Sequence, residues 1–474
     1  MGNKQTLSAS DRINTLLDDA SFVEVGAYVT ARSTDFNLGD KDTPKDGVIT
    51  GYGLIDEKLV YVYSQDASVL GGAIGEMHAK KIANIYNMAM KVGAPVIGLI
   101  DCAGLRLQEA TDALTAFGRV YQKQSMASGV IPQITAIFGG CGGGTALIPT
   151  LTDFTFMTEE NSRLFVNSPN ALSGNYTEKL DTASASYLSE NTSLVDFVCA
   201  DDASLLGEVR TLVGMLPSNN EEDSDITCND DLNRTIPNLD GLKGDAREVI
   251  RHIADNNIFV EIKKNYAKDM VLGFIRLDGT TVGVVANQVS DGGDKLTTSG
   301  AYIAADFVKF CDAFEIPVLT LVSVTGFAAT VSNERTIADA AAKLTFAFAD
   351  ATVPKVTVIM GDAFGTAYSV MNSKAIGADM VYAWPTAKIG TMDAKAAVSI
   401  MYDEEIEKAT DKNAKIKELA ASYEELQSSA LAAARRGYVD DIIEPDATRK
   451  RVIAAFEMLY TKREDRPYKK HGAV

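Results

Sequence analysis

The sequence contains few of the side chains on which nucleophilic and metal-dependent enzymes rely. Histidine occurs only three times in 474 residues, as His78, His252 and His471, and a Ser-His-Asp or Cys-His mechanism would have to use one of them. None of the three belongs to an HExxH motif or follows a nucleophile turn of the G-x-S-x-G type. Neither side-chain nucleophilic chemistry nor a metal site is therefore expected, and any reaction should depend on backbone donors and on groups that the ligands supply.

Cysteine is also scarce, and its spacing suits neither metal binding nor cross-linking. The five cysteines include no CxxC pair, so neither a zinc ribbon nor a disulfide framework is expected. For Cys102 and Cys311 we favour burial as small hydrophobic side chains over chemical reactivity.

Two further absences concern basic charge and long apolar runs. The formal net charge is −19, and because nucleic-acid binding needs clustered Lys and Arg, a nucleic-acid partner is disfavoured. No apolar run approaches the ~18 residues of a membrane span. The first residues lack the cationic start and apolar core of a signal peptide. We therefore expect a cytoplasmic protein that does not itself span a membrane.

Glycine, in contrast, is concentrated in one stretch. Residues 128–150 read SGVIPQITAIFGGCGGGTALIPT, where a short β-favouring run precedes five glycines in the six positions 139–144. Glycines after a strand let the backbone approach a ligand closely and turn N–H groups towards it. A following helix N-terminus would add partial positive charge. The pattern indicates a site for an anion or a developing oxyanion, although a purely structural tight turn fits it equally well.

This glycine stretch has a second copy. Residues 351–373 read ATVPKVTVIMGDAFGTAYSVMNS, and Gly365 lies 222 residues after Gly143. The same offset relates further pairs from residue 51 onwards: Gly51 and Gly273, Asp56 and Asp278, Pro95 and Pro317, and Gly104 and Gly326. One offset that is kept over this distance indicates an internal duplication of the chain.

The duplication predicts two tandem domains, each long enough for its own core. We expect residues 1–238 to form the first domain and residues 239–474 the second, joined by a Pro-, Asn- and acid-rich segment. Strand and helix patterns alternate in both halves, which is typical of a layered α/β architecture. A hairpin is expected at 48–64 and a matching one at 271–286.

Motifs spread over nearly the whole chain are typical of one enzyme family. They are DGVITGYG at 46–53, GEMHAKKI at 75–82, SGVIPQITAIFGGCGGG at 128–144, FVKFCDAFEIPV at 307–318, ATVPKVTVIMGDAFGTAY at 351–368 and AWPTAKIGTMDAKAAV at 383–398. In this order they resemble the carboxyltransferase subunits of biotin-dependent acyl-CoA carboxylases, most closely the propionyl-CoA carboxylase β type, and the related decarboxylases. The resemblance implies an α/β fold of two tandem crotonase-like (ClpP/crotonase) β-β-α spiral domains.

The resemblance also implies roles for particular residues. The acyl-CoA should lie mainly on the first domain and biotin on the second. Backbone N–H groups of Gly143 and Gly144 would bind the thioester oxygen as the α-carbon becomes an enolate, and those of Thr366 and Ala367 would bind the biotin carbonyl. Two preorganised donors at a developing charge can supply roughly 3–4 kcal/mol each. The residues expected to contact the substrates are Ala73, Arg106, Gly142, Gly365 and Ser369.

The implied reaction requires other proteins. The chain contains no biotinyl Met-Lys-Met motif, so biotin, as carboxybiotin, is expected on a separate biotin carboxyl carrier protein, with a coenzyme A thioester as substrate. A further partner would be a biotin carboxylase subunit in synthesis or a membrane decarboxylase subunit in decarboxylation. The resemblance implies a homo-oligomer of dimer units, with a hexamer as the expected form, in which the first domain of one subunit faces the second of another.

Departures from the family pattern bear on the substrate and leave alternatives open. The family's Gly-Gly-Ala-Tyr-Asp is Gly365-Thr366-Ala367-Tyr368-Ser369 here, and the acidic residue at the last position is linked in the family to acyl-chain preference. Propionyl-CoA is therefore not assigned as the substrate, and neither is the direction of transfer. A single-site crotonase-like hydratase or isomerase would need acidic residues at the acyl α and β carbons. A further alternative is a non-catalytic scaffold, which is supported only by the departures from the family pattern at Thr366 and Ser369.

Overall fold

The chain divides into two compact units, Met1–Ser224 and Asp225–Val474. The structure is a computed structural model that describes residues 6–32, 36, 38–467 and 472–473, so His471 lies outside the described residues. The boundary lies earlier in the chain than the expected one between residues 238 and 239. The reason is that the segment after Ser224 packs on the second unit, where the Ile226 N–H donates to the Gly279 carbonyl over 3.1 Å and Ile236 is buried in the core.

The first unit is built on one eight-stranded sheet. Its strands are β1 (Val23–Glu24), β2 (Val48–Ile55), β3 (Lys58–Gln65), β4 (Val96–Cys102), β5 (Gln133–Gly142), β6 (Phe154–Thr158), β7 (Arg163–Phe165) and β8 (Phe197–Cys199). The order across the sheet is β1-β2-β3-β4-β5-β6-β8, and β7 pairs with β5. The hairpin pairs β1–β2 and β2–β3 are antiparallel, and the remaining pairs are parallel.

Helices cover this sheet. They are α1 (Ala9–Leu16), α2 (Glu76–Val92), α3 (Ala110–Ala127), α4 (Leu147–Thr150), α5 (Asn175–Glu178), α6 (Ala185–Asn191) and α7 (Asp202–Met215). The long helix α2 ends at Gly93, which adopts a left-handed conformation with φ +67°, as is usual for a glycine that terminates a helix.

The second unit has a sheet of the same kind. Its strands are β9 (Phe259–Ile262), β10 (Met270–Leu277), β11 (Thr280–Asn287), β12 (Lys295–Leu296), β13 (Val318–Val324), β14 (Gly326–Phe327), β15 (Lys355–Phe364), β16 (Met380–Ala383), β17 (Lys388–Gly390) and β18 (Asp441–Ile442). The sheet order is β18-β16-β15-β13-β11-β10-β9, β17 pairs with β15, and β12 and β14 form a separate small sheet.

The helices of the second unit extend beyond those of the first towards the C-terminus. They are α8 (Ala246–Ile253), α9 (Val289–Gly292), α10 (Thr298–Ala313), α11 (Val331–Glu334), α12 (Ile337–Asp350), α13 (Gly365–Val370), α14 (Ala394–Met401), α15 (Asp403–Glu407), α16 (Lys412–Tyr423), α17 (Ala430–Arg435) and α18 (Thr448–Leu459). Helices α14 and α16 form a small apolar cluster of their own.

The two units repeat each other strand by strand. Strands β10, β11, β13 and β15 begin and end 222 residues after β2, β3, β4 and β5, respectively. The strand order also corresponds, including the short strand that pairs with the end of β5 or β15. The internal duplication, the two predicted hairpins and the crotonase-like fold of both halves are therefore confirmed.

The central strands explain where a site can form. Parallel strands covered by helices are apolar on consecutive residues, and β4 and β5 are buried along most of their length. Because β3, β4 and β5 are mutually parallel, their carboxyl ends reach the same edge of the sheet, where ligands usually bind in open α/β sheets. The glycine stretch lies at this edge.

Two expectations based on composition can be compared with the structure. Cys102 and Cys311 are buried free thiols, as expected for small core residues. Within the described ranges, the structure contains no helix with the length and apolar character needed to cross a membrane.

Candidate functional site

The first glycine turn begins where β5 ends. Gly143 starts a 3-10 turn that runs into α4, and it has φ +61°, a left-handed conformation that favours glycine. A Cβ atom added at Gly143 would meet no atom within 4 Å, so the space beside it is open. Gly144 follows and is exposed. As the first two residues of a helical turn, Gly143 and Gly144 have N–H groups without a partner inside that turn, which is the position predicted for oxyanion donors.

Close packing behind the turn accounts for the other glycines. A Cβ atom at Gly142 would lie 2.7 Å from the Phe165 ring, and one at Gly139 would lie 2.1 Å from Asp101 Oδ1. The Gly144 carbonyl accepts a 2.6 Å hydrogen bond from the Tyr121 hydroxyl. The turn is thus fixed from behind, while the space beside the Cβ position of Gly143 stays open.

The loops after β3 and β4 lie next to this turn. The Ile74 N–H donates to the Gly104 carbonyl over 2.9 Å, and the Cβ position of Gly104 is 3.6 Å from the Gly142 carbonyl oxygen. These contacts bring Ala73 close to the first turn, which is necessary if Ala73 and the turn are to contact the same ligand. The Ala73 N–H donates to the Leu70 carbonyl over 3.2 Å, a long hydrogen bond.

Arg106 takes a different position from the one expected for a substrate-binding residue. Its side chain is fully buried and forms ion pairs with Asp46 over 2.5 Å and with Glu109 over 2.8 Å. Its Nη2 donates to the Ala73 carbonyl over 2.8 Å. The guanidinium is therefore occupied by the protein, and the structure does not support direct contact with a ligand. It contacts instead the loop that carries Ala73.

His78 lies beside the same ion pairs and is kept neutral. Burial, reinforced by the positive charge of Arg106, lowers its pKa to about 3. Its Nδ1 is 2.9 Å from the Asp46 carbonyl, which fixes Nδ1 as the donor, and its Nε2 is 3.1 Å from the Gln65 amide. Burial likewise raises the pKa of Asp46, although Arg106 opposes this effect. Among the described residues, the histidines thus have structural partners, because His252 bonds to the Glu248 carbonyl of its own helix.

An apolar cavity of about 230 Å³ adjoins the first turn. It shares Ala146 with the turn and Phe165 with the packing behind Gly142. Its lining residues are Ala146, Thr150, Leu164, Phe165, Val166, Asn167, Thr182, Leu188 and Leu194. None of these side chains is acidic or basic.

The second glycine turn has the same backbone geometry at the end of β15. Gly365 has φ +63° and opens α13. Thr366 follows it and is exposed, whereas Ala367 is buried. The Ser369 hydroxyl is 3.5 Å from the Gly365 carbonyl, a weak contact, and Ser369 is partly exposed. The offset of 222 residues makes Gly365 and Thr366 equivalent to Gly143 and Gly144. The predicted donors of this turn, the N–H groups of Thr366 and Ala367, therefore lie one residue further along the chain.

Charged residues lie beside the second turn and were not identified from the sequence. Asp362, near the end of β15, is paired in register with Lys388 on β17, and Lys388 Nζ donates to Glu424 over 2.8 Å. That hydrogen bond raises the pKa of Lys388, and Asp362 adds to the effect. Burial raises the pKa of Tyr368 to about 12, so its hydroxyl stays neutral.

The sequence reasoning also missed the ion partners of Arg106. Asp46 and Glu109 come from loops far apart in the chain, and no local pattern distinguishes them from surface carboxylates. The one signal in the sequence is a difference between the two copies. The positions equivalent to Asp46 and Glu109 are Lys268 and Val331, so the two carboxylates are specific to the first copy. Within the described part of the chain, no group of three or more His, Cys, Asp or Glu side chains could bind a metal ion.

Comparisons with known proteins identify the family. Residues 3–474 match the carboxyl transferase domain family. The chain is 42% identical to the methylmalonyl-CoA decarboxylase subunit alpha of Propionigenium modestum and 44% identical to the propionyl-CoA carboxylase beta chain of Roseobacter denitrificans, each over 480 residues that cover 99% of this chain and 93% of the relative. A crystal structure of the transcarboxylase 12S hexamer, with methylmalonyl-coenzyme A and methylmalonic acid bound, is similar with a TM-score of 0.93 and 38% identity over 99% of this chain and 92% of that one. The chain therefore belongs to the carboxyl transferase domain family and is a carboxyltransferase.

Proposed function

We propose that the protein moves a carboxyl group between carboxybiotin, carried on a separate protein, and the α-carbon of a short-chain acyl-CoA. The observation that carries this proposal is the pair of glycine turns, which have φ +61° and +63° at equivalent positions of the two units. Two oxyanion-binding turns suit a reaction with two carbonyl-bearing partners. Two similar proteins are named for methylmalonyl-CoA and propionyl-CoA, and these two thioesters are therefore the first substrates to test.

The chain's own residues would act mainly through the backbone. At the first turn the N–H groups of Gly143 and Gly144 would bind the thioester oxygen, whose negative charge grows as the α-carbon loses its proton. Preorganised donors of this kind contribute most in the transition state. At the second turn the N–H groups of Thr366 and Ala367 fit the carbonyl of a ureido ring, because Thr366 is exposed and Gly365 adopts the same left-handed conformation. Carboxybiotin supplies the carboxyl group and, once this has left, a basic ureido nitrogen for the α-proton.

This division of labour is consistent with the neutral state of His78. His78 has a pKa of about 3 and is buried, so it is unsuited to exchange protons with a ligand near neutral pH. The cavity beside the first turn contains no acidic side chain among its lining residues, whereas a crotonase-like hydratase or isomerase would need one at the acyl α and β carbons. Both observations favour carboxyl transfer over that alternative.

The proposal is tested with the purified protein, methylmalonyl-CoA and free biotin. We expect formation of propionyl-CoA that depends on biotin, which is added free at a high concentration in place of the carrier-bound form. Conversion of methylmalonyl-CoA at the same rate without biotin, or hydration of an enoyl-CoA in its place, would contradict the proposal. No turnover of any acyl-CoA would favour the scaffold alternative.

The acyl group is proposed to occupy the apolar cavity beside the first turn. Replacing Ala146, which is buried and lines this cavity, by leucine adds three carbons to its wall. We expect Ala146→Leu to lower kcat/KM about tenfold more for butyryl-CoA than for acetyl-CoA, because one methylene in an apolar pocket contributes ~1–3 kcal/mol. The control is Ala396→Leu on an exposed position of α14. An equal loss for both thioesters would place the acyl group elsewhere.

The assembly is proposed to be a homo-oligomer of dimer units that reaches a hexamer. The similar transcarboxylase 12S is described as a hexamer assembly, and the two half-sites of a duplicated chain can be completed by a neighbouring subunit. A biotin carboxyl carrier protein, together with a biotin carboxylase or a membrane decarboxylase subunit, would supply or receive the carboxyl group. Light scattering of the active protein should give six chains per particle, and an active monomer would exclude this assembly.

A further inference from the structure

The loop that follows β3 has an unusual backbone. Leu70, Gly71 and Gly72 have φ values of +50°, +67° and +64°, three left-handed residues in succession. Such a conformation is unfavourable for a residue with a side chain, as at Leu70. Gly72 cannot carry a side chain, because a Cβ atom there would lie 2.2 Å from the Asp101 carbonyl oxygen. The conformation of loop 70–75 therefore has to be imposed by its surroundings.

Several hydrogen bonds impose it from the loop after β4. The Ala103 N–H donates to the Gly71 carbonyl over 2.9 Å, and the Arg106 N–H donates to the Ile74 carbonyl over 3.0 Å. The Arg106 guanidinium adds a 2.8 Å hydrogen bond to the Ala73 carbonyl. Arg106 thus contacts loop 70–75 with both its backbone and its side chain.

Two buried carboxylates fix the guanidinium itself. Asp46 and Glu109 accept from the same Nη1 atom over 2.5 and 2.8 Å, and the side chains of all three residues have no exposed surface. Glu109 also accepts from the Glu76 N–H over 2.5 Å at the start of α2. Lys81 contributes a nearby positive charge and donates to the Lys45 carbonyl over 2.9 Å. A buried charge cluster of this kind contributes little to stability by itself, so its geometry calls for another explanation.

The second unit lacks this cluster although it repeats the fold. The positions equivalent to Asp46, Arg106 and Glu109 are Lys268, Ala328 and Val331. At the equivalent loop, Lys295 donates to the Thr325 hydroxyl over 2.5 Å, and the side chain of Lys295 is 47% exposed. The cluster therefore occurs in the unit that contains the first turn and is absent at the equivalent positions of the other unit. The crotonase-like fold by itself does not require it.

We propose that Arg106, fixed by Asp46 and Glu109, is a positioning residue that sets loop 70–75 beside the first glycine turn and serves only the acyl-CoA half of the reaction. The inference rests on the proposed function for its chemistry. The guanidinium binds the Ala73 carbonyl and so fixes the Ala73–Ile74 peptide. The Ile74 N–H binds the Gly104 carbonyl, and Gly104 lies beside Gly142, so the loop keeps a fixed distance from the first turn. Loss of this restraint would let the loop relax and would misplace the thioester relative to Gly143 and Gly144.

The test compares Arg106→Lys with Arg449→Lys. Arg449 is a matched control in the second unit, because it is equally buried, pairs with Asp255 over 2.6 Å and donates to the Ile253 carbonyl over 2.6 Å. Lysine keeps the charge at both positions but cannot bridge two carboxylates and a carbonyl. We expect Arg106→Lys to lower kcat for biotin-dependent methylmalonyl-CoA decarboxylation by on the order of 10- to 100-fold, with KM near the wild-type value.

Two further readouts separate positioning from general destabilisation. Decarboxylation of free carboxybiotin without acyl-CoA should keep its wild-type rate in Arg106→Lys. Hydrogen–deuterium exchange should become faster in the peptide that covers residues 70–75 in this variant and should stay unchanged there in Arg449→Lys. Glu109→Gln, which keeps the shape of the side chain, should lower kcat for methylmalonyl-CoA and speed exchange in residues 70–75 as Arg106→Lys does, but less, and should also leave free carboxybiotin decarboxylation unchanged. This variant serves if Arg106→Lys does not fold.

The outcomes distinguish this inference from the proposed function. If the wild type shows no biotin-dependent transfer, the proposed function is overturned and the assignment of Arg106 falls with it. If the wild type is active but Arg106→Lys lowers both activities equally, or behaves as Arg449→Lys does, only the positioning role is overturned.

Discussion

Replacing Gly144 by proline should lower kcat for carboxyl transfer to or from the acyl-CoA by about 10²–10³-fold, the usual effect of losing one oxyanion donor. Proline removes the N–H group and is tolerated in the first turn of a helix, and Gly144 lies outside the left-handed region. The change therefore removes a donor at a position that is not in the left-handed conformation, which proline cannot adopt. KM for the acyl-CoA should change little, because the donor acts on charge that develops in the transition state.

Gly144→Ala is the matched control for this variant. Its Cβ atom would lie 3.1 Å from the Tyr121 hydroxyl and 3.3 Å from the Phe117 ring, and proline introduces the same contacts. Alanine keeps the N–H group, so it reports the cost of crowding alone. Steady-state rates with methylmalonyl-CoA and biotin measure both variants. If Gly144→Pro and Gly144→Ala lose the same activity, the N–H group of Gly144 is not a catalytic donor.

Replacing Thr366 by proline should have an effect of the same size at the second turn. Thr366 is the second residue of α13 and lies outside the left-handed region that excludes proline, and the substitution removes the N–H proposed for the biotin carbonyl. We expect kcat to fall by about 10²–10³-fold. Thr366→Ala keeps the N–H and removes only an exposed side chain, and it should stay near the wild-type rate.

The two proline variants should differ in one partial reaction. Decarboxylation of free carboxybiotin in the absence of acyl-CoA depends on the second turn alone in the proposed mechanism. Thr366→Pro should therefore lose this activity, and Gly144→Pro should keep it. The opposite result would mean that the acyl-CoA and biotin sides have been assigned to the wrong units.

Local sequence patterns were sufficient for the architecture of each unit. Apolar β-favouring runs that end in glycine located β5 and β15, because glycine is needed where the backbone turns through a left-handed conformation at Gly143 and Gly365. The constant offset of 222 residues then located the matching strands without any knowledge of tertiary contacts. Strand periodicity and turn chemistry are properties of neighbouring residues, so a single sequence contains them.

The sequence was a poorer guide to which side chains face the site and which are buried away from it. Arg106 lies shortly after the end of β4, and a positive charge near a thioester is a natural substrate contact. The structure instead buries its side chain between Asp46 and Glu109. That choice depends on two carboxylates from other loops, which become neighbours only after the sheet has formed.

The sequence by itself determined that the chain contains two copies of one fold, where their central strands lie and where a glycine turn follows each of them. Only the tertiary structure decided that residues 225–238 pack with the second unit, that an apolar cavity adjoins the first turn, and that loop 70–75 is restrained by a buried ion cluster. The physical reason is the range of the interactions. Turn and strand preferences act between residues a few positions apart, whereas packing, burial of charge and cavity shape depend on segments that folding alone brings together.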